Sequence, residues 1–110
     1  MSQLASERCV PCRTGDPPLT TDEAMSLHAM VASWALESNQ LLRRTYSFGD
    51  FSEAFGFATR IALLAESQGH HPDLAVSWGK VEVSLTTHSV SGLSRNDFIM
   101  ASKIDALGRG

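Results

Sequence analysis

The sequence predicts an α+β fold: a four-stranded antiparallel sheet with three helices packed on one face, in the order α-β-β-α-β-β-α. Three observations carry that reading. Thr20-Thr21-Asp22-Glu23 and Asp50-Phe51-Ser52-Glu53 each set a capping oxygen three residues ahead of a glutamate, the pattern that opens a helix. Between Phe51 and Ala65 the apolar residues recur at helical spacing. Between Leu74 and Thr87 they recur at every second position instead, the period of a half-buried strand.

Residues 1–18 read as an irregular arm, because Cys9-Val10-Pro11-Cys12 is followed by Gly15-Asp16-Pro17-Pro18. Proline donates nothing to a ladder and restricts the residue before it. A single domain is expected over residues 19–110, starting at Leu19. Its first helix, near residues 21–30, turns Ala24, Leu27 and Val31 inward. Strands from Trp34 to Glu37 and from Leu41 to Phe48 flank Ser38-Asn39-Gln40, a hairpin turn. Asp50 then caps the best helix of the chain. Phe51, Phe55, Ala58, Ala62 and Ala65 form one stripe on it, widened by Phe57, Ile61 and Leu64, so all three phenylalanines are expected in the core. Gly69 supplies the C-terminal stop.

Leu74, Val76 and Trp78 alternate with Ala75 and Ser77, which places Trp78 most simply in the core. Gly79-Lys80 makes a turn. Val81, Val83, Leu85 and Thr87 then alternate with Glu82, Ser84, Thr86 and His88, a polar face that must look at water, a partner or a ligand. Ser94 opens the last helix, with Asp97 three residues on as a capping carboxylate and Phe98, Ala101 and Ile104 on the inner side.

A chain of 110 residues makes one domain of ordinary size, and 43% hydrophobic with 19% charged residues is globular composition. The net charge of -3, with no cluster of Lys and Arg, argues against a nucleic-acid partner held through phosphates. The longest apolar run, Ile61 to Ala65, is far short of the roughly 20 residues that span a bilayer, so no membrane association is expected. No basic-then-apolar leader opens the chain, and two cysteines are no disulfide framework, so a reducing, cytoplasmic location is expected. Cys9 and Cys12 have redox-motif or zinc spacing, but no second pair completes a zinc site and no strand–helix turn supports a redox one. They read as plain thiols. No phosphate-cradling glycine loop is present.

Chemistry concentrates in the histidines. His28 lies in the first helix; His70, His71 and His88 are the other three. Unperturbed imidazole titrates near pH 6.5, so it holds or releases a proton at neutral pH. A hairpin about Gly79-Lys80 brings Pro72 and His88 toward each other at its open end, and three imidazoles round one cavity follow from that pairing. Glu66, one helical turn before His70, faces the same way. Glu66, His70, His71 and His88 are also metal-ligand types, but neighbours in extended chain point apart, which makes His70-His71 a poor chelating pair. No metal is expected.

Glu66-Ser67-Gln68-Gly69-His70-His71-Pro72, then Trp78, Thr86-Thr87-His88, Gly92-Leu93-Ser94 and Asp97 together resemble the pterin-4a-carbinolamine dehydratases. The signature of that family is an acidic residue, three residues, His-His-Pro, an aromatic, a distant His and then an Asp. Phe51 to Phe57 resembles its central helix, Trp34-Ala35-Leu36 its first strand, and Arg95 to Ala101 its bacterial branch, so the likeness runs from about Leu19 to Leu107. The cysteine arm lies outside it.

The resemblance implies a hydro-lyase that dehydrates 4a-hydroxytetrahydropterin to quinonoid dihydropterin. That step follows aromatic amino-acid hydroxylation in tetrahydrobiopterin recycling, and it links the chain to a hydroxylase. The pterin is the substrate, and no cofactor is implied. His70 and His88 would transfer protons and His71 would mainly position the pterin. Glu66 and Asp97 would orient the histidines or hold the ligand, with Pro72, Trp78 and Thr87 lining or orienting the site. The family also implies a homodimer or tetramer, and it includes animal members that serve as dimerisation cofactors and bacterial ones tied to molybdopterin metabolism.

Overall fold

The computed structural model describes residues 3–108. A short 3-10 turn, Gln3–Ser6, precedes α1 (Thr21–His28), β1 (Ala35–Glu37), β2 (Leu41–Ser47), α2 (Phe51–Gln68), β3 (Asp73–Ser77), β4 (Lys80–Leu85) and α3 (Arg95–Leu107). The four strands form one antiparallel sheet in the spatial order β1-β2-β4-β3. This is the predicted α+β architecture. No helix among the described residues is long and apolar enough to cross a membrane.

Local chemistry explains most of the boundaries. The Thr20 side chain accepts from the Glu23 N–H while Glu23 accepts from the Thr20 N–H, closing the capping box of α1. Ser38 and Asn39 both adopt positive φ (52° and 56°), the twist that a tight hairpin between β1 and β2 demands. The Asp50 carboxylate accepts from the Glu53 N–H at 2.8 Å and starts α2. Gly69, at φ 66°, ends it in the left-handed region where a side chain would be strained.

Register sets the core face of the sheet. Leu42 pairs with Leu85, Tyr46 with Val81, and Val83 with Leu74, so these alternate residues all face the helices. From α2 come Ala54, Phe57, Ala58, Ile61 and Ala65; from α3, Phe98 to Ala101 and Ile104. The expectation for α2 needs correcting at Phe51, Phe55 and Ala62, which are exposed. Phe51 and Phe55 are about half exposed and lie against each other on the outer side, 5.9 Å between centroids. The buried stripe is the one displaced toward Phe57. Trp78 is corrected too: it is 69% exposed, because Ser77 already pairs with Lys80 and leaves Trp78 and Gly79 as the two turn residues.

The N-terminal arm is irregular in backbone between Arg8 and Arg13, yet it packs on the domain. Leu4 is fully buried in the common core, Lys103 donates to the Ala5 carbonyl, and Arg95 makes a two-pronged contact with Glu7. The arm therefore covers the outer side of α3, which is why that helix is buried nearly all round.

One polar cluster pins Trp34, just before β1, to β2 and α3. The Asp105 carboxylate accepts from Trp34 Nε1, Arg44 Nη1 and the Tyr46 hydroxyl. Burial, first, and then the donated hydrogen bond to Asp105 push the Tyr46 phenol well above its ordinary range. A phenol whose folded pKa is raised contributes its stability below the unfolded value near 10 and loses it as pH rises beyond that value. Tyr46 is the chain's one tyrosine, so its phenolate absorbance is unambiguous. Folded protein is expected to stay unionised above pH 10 while chain unfolded in urea titrates near 10; coincident titrations would contradict the buried contact.

Candidate active site

The end of α2 delivers the first residues of the site. Gly69 takes the chain off the helix with its N–H still bonded to the Ala65 carbonyl at 2.9 Å, and His70-His71-Pro72 lead into β3. Successive side chains of this extended segment point apart. His70 turns inward, its side chain 12% exposed, and Nε2 meets Asp97 Oδ1 at 2.6 Å. His71 turns outward, where Nε2 meets Glu66 Oε2 at 2.5 Å between two largely exposed side chains.

Asp97 organises the inner half. It sits in the first turn of α3, fully buried, where the helix N-terminus favours negative charge. Its Oδ2 accepts from Thr87 Oγ1 at 2.7 Å and from the Ser94 N–H at 3.0 Å, and Thr87 and Ser94 share a further hydroxyl contact at 2.8 Å. Cap and site support are thus one carboxylate. A carboxylate only accepts, and in the neutral imidazole that donates to it from Nε2 the other nitrogen, Nδ1, is the acceptor.

Thr86, Thr87 and His88 leave β4 in alternation. Thr87 is buried toward Asp97, whereas Thr86 and the exposed His88 line a hollow. His88 begins a 3-10 turn, His88–Val90, closed by Ser91 at φ 56°. It lines a concavity of about 360 Å³ with Gln40, Leu41, Thr86, Ser91 and Gly92. Thr86 Oγ1 donates to the Gln40 carbonyl at 2.7 Å, tying the floor of that hollow to the β1–β2 turn. Among the described residues the His88 side chain holds no hydrogen bond.

The predicted site residues therefore separate into groups. His70, Thr87 and Asp97 form one buried network, joined by Ser94. Glu66 and His71 form an exposed pair above it. His88 follows Thr87 directly in the chain and borders its own hollow. Pro72 is half-buried at the entry to β3. Trp78 lies in the turn at the closed end of the β3–β4 hairpin, opposite the open end that holds His70 and Thr87. Among the described residues no three His, Cys, Asp or Glu side chains converge as a metal-ligand set.

Sequence reasoning missed Asn96. Its side chain is buried and pairs with both backbone groups of Val10: Oδ1 accepts from the Val10 N–H at 2.9 Å and Nδ2 donates to the Val10 carbonyl at 2.5 Å. Only the arm makes that position an interior one, so helical periodicity carried no signal for it.

The arrangement offers an imidazole locked by a buried carboxylate, a second imidazole at a solvent-accessible hollow, and a third in an exposed ion pair. That is equipment for moving protons at neutral pH. Residues 17–107 match the family described as Pterin 4 alpha carbinolamine dehydratase. A protein of Rubrobacter xylanophilus, provisionally named as a pterin-4-alpha-carbinolamine dehydratase, is 42% identical over 97% of this chain and 100% of its own length. The crystal structure of a transcriptional coactivator/pterin dehydratase from Brucella melitensis superposes with a TM-score of 0.76 at 35% identity, covering 82% of this chain and 97% of that one. A pterin dehydratase-like protein identified as a RuBisCO assembly factor in the alpha-carboxysome shares the fold at TM-score 0.58 and 23% identity, over 68% of this chain and 88% of that one.

Proposed function

The chain belongs to the pterin-4a-carbinolamine dehydratase family, and from that membership we propose that it is a hydro-lyase converting 4a-hydroxytetrahydropterin to quinonoid dihydropterin. The observation that carries the reading is the His70–Asp97–Thr87 network. A carbinolamine holds a hydroxyl and a nitrogen on one carbon. Loss of water needs a proton delivered to the hydroxyl and one taken from the nitrogen. The C–O bond electrons leave with the water, and the N–H electrons close the new C=N bond.

His70 suits the base. Its Nε2 proton is committed to Asp97, which leaves Nδ1 to accept from the substrate nitrogen and stabilises the imidazolium that forms. His88, at the hollow beside Thr86, is the acid that protonates the leaving hydroxyl. His71, held by Glu66, positions the pterin with Pro72 alongside. Thr87 fixes Asp97 without touching substrate. The reaction draws only on these groups and water.

The same reading puts the enzyme in the cytoplasm, recycling tetrahydrobiopterin for an aromatic amino-acid hydroxylase. It works as a homodimer: β1 and β3 are the two edges of the sheet, and an unpaired edge is a template for a second copy. A monomer by sedimentation at micromolar concentration would contradict that part. One observation favours a second role as an interaction module: Phe51, Phe55 and Leu63 leave apolar surface on the outer side of α2.

The decisive test of the activity supplies chemically generated carbinolamine and follows its loss of water spectroscopically. Catalytic amounts of the chain are expected to raise the rate well above the spontaneous one. A rate equal to background, with the chain folded by circular dichroism, would leave the interaction role as the better reading.

A further inference from the structure

The arm places two thiols on the back of the candidate site. Cys9 Sγ lies 3.8 Å from the Asn96 carbonyl, and Cys12 Sγ lies 3.5 Å from Asn96 Nδ2. Both sulfurs thus gather round one buried residue, the immediate neighbour of Asp97. The backbone between them is held to the same elements. The Cys9 N–H donates to Gln68 Oε1 at 3.0 Å, at the end of α2 just before Gly69 and His70. The Val10 N–H and carbonyl are both taken by the Asn96 side chain. The Cys9–Cys12 segment is a strap across the two helix ends that carry His70 and Asp97.

We propose that Cys9 and Cys12 are a thiol–disulfide exchange site that closes to an intramolecular disulfide with a low-molecular-weight disulfide, and that closure loosens the strap behind Asp97. The exchange balances without any other reactant. The Cys12 thiolate attacks one sulfur of the small disulfide, forming a mixed disulfide and releasing one thiolate. Cys9 then attacks the Cys12 sulfur, the second small thiolate leaves, and the Cys9 proton goes to it. The protein dithiol is oxidised and the small disulfide is reduced to two thiols.

Geometry assigns the order of attack. Cys12 Sγ makes its contacts with Val10 and Asn96 nearer the surface, which leaves it the sulfur that a small disulfide reaches first. Burial pushes the Cys9 thiol up to about 11, which suits the resolving partner. Closure must also move the strap. Residues 8–13 make no turn, while a disulfide draws its Cα atoms to about 4.4–6.8 Å and removes the S–H that Cys9 directs at the Asn96 carbonyl. Bending at Val10-Pro11 pulls the Val10 peptide out of its two-bond pairing with Asn96. The consequence for turnover rests on the dehydratase reading; the thiol chemistry does not.

The test treats the full chain with oxidised glutathione or with a dithiol reductant. Oxidised protein is expected to lose two hydrogens in mass, with Cys9 and Cys12 both protected from alkylation. Amide exchange at Cys9 and Val10 should accelerate roughly tenfold. Dehydration should slow by roughly tenfold through misplacement of Asp97 and His70 and recover on reduction. A Cys9→Ser/Cys12→Ser variant should keep the basal rate and ignore oxidised glutathione. Stable glutathione adducts or free thiols at both positions would overturn the exchange site. Unchanged amide exchange after oxidation would overturn the strap. If neither redox form dehydrates carbinolamine, the dehydratase reading fails, and mass and exchange still decide the thiol proposal.

Discussion

Alanine at position 70 is expected to lower the rate of carbinolamine dehydration by about 10²–10⁴-fold, the usual worth of a positioned general base. The loss should appear in kcat rather than in KM, because the proton moves only as the C–O bond breaks. The fold is expected to persist. Asp97 still accepts from Thr87 and the Ser94 N–H after His70 is removed, so its buried carboxylate is not orphaned. His71→Ala tests the division of labour. Its imidazole pairs with Glu66 in the open, so its loss should raise KM several-fold with a smaller change in kcat. Steady-state kinetics on both variants check this directly. A His70 variant with unaltered kcat, or a His71 variant with the larger kcat loss, would reverse the assigned roles.

Trp34→Ala carries the largest expected effect on stability. The indole is buried, meets Tyr46 edge-on at 6.3 Å, and donates Nε1–H to Asp105. Its removal should cost about 3–5 kcal/mol through lost burial and the cavity left behind, a large share of the ordinary stability of a domain this size. Trp78→Ala is expected to fall within about 0.5 kcal/mol of the parent, since a solvated turn side chain leaves no cavity. Urea unfolding of the two variants separates them. A Trp78 variant as damaged as the Trp34 one would put Trp78 back in an interior or an interface.

These two tryptophans show where the sequence was legible and where it was not. Alternation from Leu74 to Trp78 reads as one strand, but pairing stops at Ser77, and the residue after the last pair belongs to the turn whatever its hydrophobicity. Turn position is a property of register, and a single strand's periodicity does not encode its register. Helix α2 has the same ambiguity in another form. It bears two apolar stripes, one through Phe51 and Phe55 and one through Ala54, Phe57, Ile61 and Ala65, and 3.6-residue spacing does not rank them. The sheet decides, by packing on the stripe whose small residues admit close approach.

Other features were readable because their causes are local. Gly69 was legible as a stop because left-handed backbone favours glycine. Ser38 and Asn39 were legible as a turn between two apolar runs. Asp97 was legible as a cap from its spacing to Ser94, whereas its second role toward the histidines was implied only by the family resemblance, since a contact between α3 and the end of α2 leaves no local signal. The buried position of Asn96 was not legible, since it depends on an arm whose own sequence looks unstructured. Leu4 and Val10 make α3 an interior helix from outside the sheet.

The measurement that bears most directly on the account is dehydration by the His70→Ala/His88→Ala double variant, set beside the parent chain on chemically generated carbinolamine. Rates at the spontaneous background, with circular dichroism spectra that superpose on the parent's, are the predicted result. Turnover equal to the parent's would contradict the claim that these imidazoles carry the protons.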